Sequence, residues 1–180
     1  MTEKTVFISE IFDNLRRVVQ VIREYSMVAK RDTGITGPQL WVIKLIANTQ
    51  PIQVSELASR MYLHPATVVG ILNRLELKDL VRRLRTADDR RVVHVELTDK
   101  GRDLVRRAPE VAQGVLVSGL ETLDAEKLES IHGGLAQLVE ILGAQEIPPH
   151  FISSPEVNYP GGKKKGKKLS NKKVKNDPLV

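Results

Sequence analysis

Val81-Arg82-Arg83-Leu84-Arg85-Thr86-Ala87-Asp88-Asp89-Arg90-Arg91-Val92-Val93-His94-Val95-Glu96-Leu97-Thr98 is the stretch that decides how this chain folds. Its second half alternates. Val93, Val95 and Leu97 fall on one side and Val92, His94 and Glu96 on the other, the period of a half-buried strand. Ala87-Asp88-Asp89 supplies a turn, because aspartate side chains hydrogen-bond nearby backbone. The stretch predicts a β-hairpin with Arg85, Arg90 and Arg91 near its tip, and places His94 on the solvent face. An arginine on a thin ribbon reaches a nucleic-acid minor groove, whose narrow, negative channel favours it. Taken alone, a surface hairpin with solvated arginines explains the same residues.

The segment upstream narrows the choice. Residues 36–79 read as three helices in quick succession. Thr36-Gly37-Pro38-Gln39 opens the first as a capping box, with Pro in the first turn. Pro51 breaks the chain, and a short helix follows from about Val54 to Met61. After the tight linker Tyr62-Leu63-His64, Pro65 stands where a first helical residue belongs. The third helix runs to about Lys78 with Val68, Ile71, Leu72 and Leu75 inward. A short helix, a tight turn and a longer helix make a helix-turn-helix.

The outer side of the third helix carries small residues: Pro65, Ala66, Thr67, Val69 and Gly70. Small side chains let a helix approach base edges closely. Thr67 donates or accepts, and a methyl group of Thr67 or Ala66 can touch a thymine methyl. Asn73 and Arg74 suit phosphate or base contacts. With Arg83 and the tip residues, these form the candidate DNA-contacting set. A packed helical hairpin with a polar back would look similar. A helix-turn-helix followed at once by an arginine-tipped hairpin is a winged helix-turn-helix.

These residues resemble the MarR family of bacterial transcriptional regulators, over roughly residues 8–143. The most specific piece is Asp88-Asp89-Arg90-Arg91 followed by Leu97-Thr98-Asp99-Lys100-Gly101-Arg102. The family's wing motif is Asp-x-Arg, then Leu-Thr at a fixed distance, then a helix. Two registers exist, Asp88 with Arg90 or Asp89 with Arg91, and the distance to Leu97-Thr98 favours the second. Ser55-Glu56-Leu57-Ala58, His64 to Val69 and Leu75 to Arg83 add support. Asp79 stands where the family usually has Gly, and Gln53 where it usually has Thr.

The resemblance implies a mainly α fold: a winged helix-turn-helix with a small β-hairpin wing, flanked by N- and C-terminal dimerisation helices. It implies a homodimer on double-stranded DNA, with each third helix in a major groove and each wing at the adjacent minor groove. By position, Arg91 is the wing arginine, Arg90 the fallback, and Asp89 the brace. A two-fold dimer implies a pseudo-palindromic operator with half-sites about one helical turn apart. Family members also take small, often anionic aromatic effectors between the dimer helices and the winged part. Tyr25, Met27 and Trp41 are the candidates to line such a crevice, although each also reads as plain core.

Composition agrees. At 180 residues the chain has room for one domain plus appendages. No run of about 18 apolar residues exists to span a membrane. The start Met1-Thr2-Glu3-Lys4 lacks a secretory leader's pattern, which points to the cytoplasm and the nucleoid. The absence of cysteine excludes disulfides and thiol sensing. The net charge of +6 is uneven. Residues 161–180 hold eight lysines and one aspartate, so the other 160 residues sum to −1. From Arg60 to Arg107, twelve Lys/Arg face seven Asp/Glu, which puts positive charge where the reader and wing lie.

The expected divisions are residues 1–34, an N-terminal dimerisation helix; 35–98, the winged helix-turn-helix; 99–143, C-terminal dimerisation helices; and 144–180, a Pro-containing segment with a Lys-rich tail. A single helix is expected from Asp99 to about Ser118, capped by Thr98 and kinked by Pro109 near Val105. Asp124 opens a last helix with Leu128, Ile131, Leu135, Leu138, Val139 and Leu142 at helical spacing. The tail reads as disordered, and serves either as a sequence-independent DNA clamp or as a solubiliser. His64, His94, His132 and His150 show no metal-ligand spacing, and there is no phosphate-cradling loop or nucleophilic constellation. No catalysis, metal or cofactor is expected. The principal alternative to a specific regulator is an architectural, nucleoid-type binder dominated by the tail.

Overall fold

The structure, a computed structural model, describes residues 2–85 and 92–147, the side chain of Arg85 excepted. Its elements run α1 (Glu3–Thr33), α2 (Gly37–Asn48), β1 (Ile52–Gln53), α3 (Val54–Arg60), α4 (Pro65–Leu77), β2 (Val81–Arg85), β3 (Val93–Leu97), α5 (Asp99–Arg106), α6 (Ala112–Glu121) and α7 (Ala125–Ile141). This is a mainly α winged helix-turn-helix with helices before and after it.

The core forms around α2, which buries Leu40, Trp41, Val42, Ile43 and Ile46 and so is apolar nearly all round. Gln39 Oε1 accepts from Thr36 N at 3.0 Å, making one half of the expected capping box. Thr36 Oγ1 is buried without a hydrogen-bond partner. α3, α4, α5 and β3 pack around α2 through Leu57, Ala58, Val68, Ile71, Leu72, Leu75, Val95, Leu97 and Leu104.

The wing sheet has a third strand that hairpin patterning did not predict. Ile52 and Gln53 pair antiparallel with Val95 and His94, giving the order β1-β3-β2. Two residues are too few to display a period. Gln53 also opens α3 but makes no side-chain cap bond, which is the local consequence of Gln standing where Thr would cap.

The expected helix from Asp99 to Ser118 is two helices. Pro109 breaks it outright, where a kink was expected. Proline lacks an N–H and pushes the preceding residue out of helical geometry. α5 stops at Arg106, and α6 begins afresh after an extended Val111 (φ −124°, ψ 142°). Leu104 and Val111, on either side of the break, are both buried in the core.

α1, α6 and α7 carry apolar faces that one chain leaves uncovered. Of the 31 residues of α1, only Ile22 and Ala29 are buried, while Phe7, Ile11, Phe12, Leu15, Val18 and Val19 are exposed. No residue of α7 is buried, although Leu128, Ile131, Leu135 and Val139 repeat along one side. Val115, Leu116 and Leu120 of α6 are exposed as well. Among the described residues, no helix is long and apolar enough to cross a membrane.

A compact junction joins the wing to the helix before it. Thr98 N donates to Leu80 O at 3.1 Å, and Thr98 Oγ1 donates to Asp79 O at 2.7 Å. The same hydroxyl caps α5 by accepting from Gly101 N at 3.1 Å. Lys100 Nζ reaches Lys78 O at 2.9 Å. Arg102 bonds Leu97 O and Asp99, and its guanidinium holds the Asp99 carboxyl below the usual carboxylate range. Gly101 lies so close that a Cβ there would overlap the Leu80 carbonyl oxygen and sit 3.1 Å from its carbon. A Gly101→Ala variant should therefore lose about 2 kcal/mol or more of stability in urea unfolding at fixed protomer concentration. Gly70→Ala, whose added carbon meets nothing within 4 Å, should be neutral or stabilising by about 0.5–1 kcal/mol. Equal stability of the two variants would mean that the junction relaxes freely.

Candidate nucleic-acid interface

α3 and α4 form the helix-turn-helix, with Met61–His64 as the turn. Tyr62 holds a left-handed φ of 54° that a non-glycine residue adopts only at a cost. His64 is the N-cap of α4, its Nδ1 accepting from Ala66 N at 3.3 Å, and Pro65 opens the helix. α4 buries Val68, Ile71, Leu72 and Leu75. The opposite side is open. Pro65, Ala66, Thr67, Val69 and Asn73 are exposed, and Gly70 is half-buried beside empty space. Ala66, Val69, Gly70 and Asn73 fall at i, i+3, i+4 and i+7, so they make one strip. Arg74 is half-buried on the flank of α4 and already engaged.

Strand alternation sorts the wing's basic residues. Arg83 pairs across from Val95 and shares its inner face, toward α4. Its Nη1 donates to Glu76 Oε2 at 2.7 Å and its Nη2 to Asn73 Oδ1 at 2.6 Å. Arg83 and Asn73, both candidates for DNA contact by sequence, bond each other. The signal available was the spacing: Arg83 lies two residues after Val81, hence on the buried face. Arg82, on the outer face, pairs with Glu96. Arg85 ends β2, and its side chain, like Asp89, Arg90 and Arg91, lies outside the described residues. His94 shares the outer face with Glu96, as alternation predicts, but is half-buried there. Its Nδ1 is enclosed without a partner, because β1 adds a neighbour at Gln53.

α4 ends in a turn through Asp79, at φ 56°. Aspartate tolerates this left-handed geometry where glycine is usual. Leu80 N then returns to Leu75 O at 3.0 Å, and the chain enters β2.

The three residues expected to line an effector crevice do not meet within one chain. Trp41 lines a cavity of about 750 Å³ between α2, α3 and α6. Tyr25 lines a separate hollow of about 290 Å³ between α1 and α6. Met27, 63% exposed, borders a third along α1. The Trp41 cavity is bridged at its rim. Lys44 Nζ pairs with Glu110 Oε1 at 2.8 Å, and Tyr62 Oη donates to Glu121 Oε1 at 3.3 Å. Among the described residues, no group of three His, Cys, Asp or Glu is placed to hold a metal ion.

Residues 35–93 match the model of the MarR family. The chain is 34% identical over 93 residues to the HTH-type transcriptional repressor MdtR of Bacillus subtilis (strain 168), covering 52% of this chain and 60% of that one. It is 32% identical over 105 residues to the uncharacterized HTH-type transcriptional regulator YfiV of the same organism, covering 58% and 66%. The chain thus spans about three-fifths to two-thirds of the length of these relatives. Among solved structures it is similar to a MepR-like protein complexed with pseudoligands, at a TM-score of 0.50 and 26% identity, over 80% of this chain and 100% of that one.

The left-handed turn yields a direct test. Asp79→Gly should leave stability unchanged or raise it by up to about 1 kcal/mol, and Asp79→Val should lower it by about 1–2 kcal/mol, read from thermal unfolding. Equal effects of the two would mean that the turn is not held left-handed in solution.

Proposed function

We propose that this chain, whose residues 35–93 are a MarR-family domain, is a transcriptional regulator that binds a pseudo-palindromic DNA operator as a homodimer. The observation that carries this reading is the open strip of small residues on α4, ending beside the root of a wing. α4 lies in the major groove, with Thr67 and Ala66 toward base edges. Arg85, Arg90 and Arg91 reach the minor groove, and Asp89 braces them. Arg74 serves the phosphates.

The homodimer reading is supported by the uncovered apolar faces of α1, α6 and α7. Such faces mark interaction sites, and a two-fold axis buries the same patch twice. Repression is the direction favoured, because the relative at 34% identity is named a repressor. Release by a small effector is the accompanying proposal. The Trp41 cavity has the size of a ligand site and touches both the helix-turn-helix and α6. Trp41 is the single tryptophan of the chain, so its fluorescence reports occupancy directly. Such a protein works in the cytoplasm, on the nucleoid, by binding and not by catalysis.

Selection of sites from random duplex DNA tests the reading, using protein with and without residues 161–180. Both forms should enrich one palindrome with half-sites about a helical turn apart, the lysine tail only raising affinity and salt dependence. On that site, Thr67→Ala should cost about 1–3 kcal/mol and relax one symmetry-related position. Arg91→Ala should weaken binding at the flanking minor groove. If nothing is enriched and truncation abolishes binding, the regulator reading falls and tail-driven architectural binding replaces it.

A further inference from the structure

Arg83 is turned back onto α4. Its two terminal nitrogens span Asn73 and Glu76, one helical turn apart. The Glu76 carboxylate neutralises it, and only 27% of its side chain is exposed. Asn73 itself is exposed, on the same strip as Ala66, Val69 and Gly70.

A guanidinium carries donors only, so an amide facing it must offer its oxygen. Arg83 therefore selects one of the two amide orientations of Asn73, with Oδ1 toward the wing root and Nδ2 turned from it. An unconstrained asparagine favours adenine, donating to N7 while accepting from the N6 amino group. Here the N6 amino group would compete with the Arg83 guanidinium for one oxygen and lie beside a cation.

We infer that Arg83 is a positioning residue that engages the Asn73 oxygen and leaves Nδ2 free to donate, so that Asn73 favours a base with acceptors in the major groove, guanine or thymine, over adenine, whose amino group would share that oxygen beside a cation. This rests on α4 being the reading helix, as proposed above. Guanine offers O6 and N7, and thymine offers O4. Glu76 contributes by holding Arg83 in place, without touching DNA.

The test is site selection with full-length wild type and the Asn73→Ala, Asn73→Asp, Arg83→Met and Glu76→Gln variants. Wild type should show guanine or thymine at one symmetry-related position in each half-site. Asn73→Ala should lose that preference alone. Arg83→Met should admit adenine there, shifting the ratio of adenine to the wild-type base about tenfold. Glu76→Gln retains an acceptor for Arg83 and should keep the wild-type base. Asn73→Asp preserves a partner for Arg83, hence the fold, but has no donor, so the position should move toward cytosine. This variant carries the test if Arg83→Met fails to fold. An Asn73→Ala protein that weakens on all sequences alike would identify a phosphate contact and overturn the inference. So would an Arg83→Met protein with unchanged discrimination against adenine. If wild type enriches no site at all, the reading of α4 fails and this inference falls with it.

Discussion

The position of the wing relative to α4 depends on how Thr98 and Gly101 sit against the Lys78-Asp79-Leu80 turn. One hydroxyl does two things at once, capping α5 and donating to Asp79 O. The missing side chain of Gly101 lets α5 approach the Leu80 carbonyl. α4, β2, β3 and α5 thus meet in one small volume, and any change in the approach of α5 re-aims β2 and β3. On the proposed function, two parts that engage adjacent grooves would need such a fixed angle. The Leu97-to-Arg102 run, which reads as a signature in sequence, is in three dimensions the steric and hydrogen-bonding condition for that angle.

The rest of the molecule divides by what each surface lacks. The winged part has a closed core in which Ile43, Ile46, Ile71 and Leu72 are fully buried. The outer helices have none, and a 17-residue α7 without one buried residue gains little from its own chain. Helices in proteins take most of their stability from packing of an apolar face, and the uncovered face of α7 is part of what supports the proposed homodimer. Charge is distributed just as unevenly. The body outside the lysine tail is nearly neutral, and its positive excess lies between Arg60 and Arg107.

Between these regions lies the Trp41 cavity, the site proposed for a small effector. Its rim contacts are few and polar, Lys44 with Glu110 and Tyr62 with Glu121. Tyr62 belongs to the turn that launches α4, and Glu121 ends α6. Exposed pairs of this kind hold weakly. Their rearrangement costs little, while the core beneath stays packed. The Pro109 break separates α5 from α6, and the extended Val111 between them is buried along with Leu104.

Much of this was legible in the chain itself. Helix boundaries followed from Pro38, Pro65 and Asp124, since capping and proline geometry are local. The hairpin strands followed from alternation, and the open strip on α4 from the lack of bulk at Ala66, Thr67 and Gly70. Local rules could not see β1, which exists only because Val95 offers it an edge. Nor could they distinguish a kink from a break at Pro109, which the core decided. The pairing of Arg83 with Asn73 and the separation of Tyr25, Met27 and Trp41 into different hollows were decided by tertiary structure alone. Sequence determines which residues can cap, turn or bury. Which donor meets which acceptor depends on the distance and angle between elements far apart in the chain, and only packing sets those.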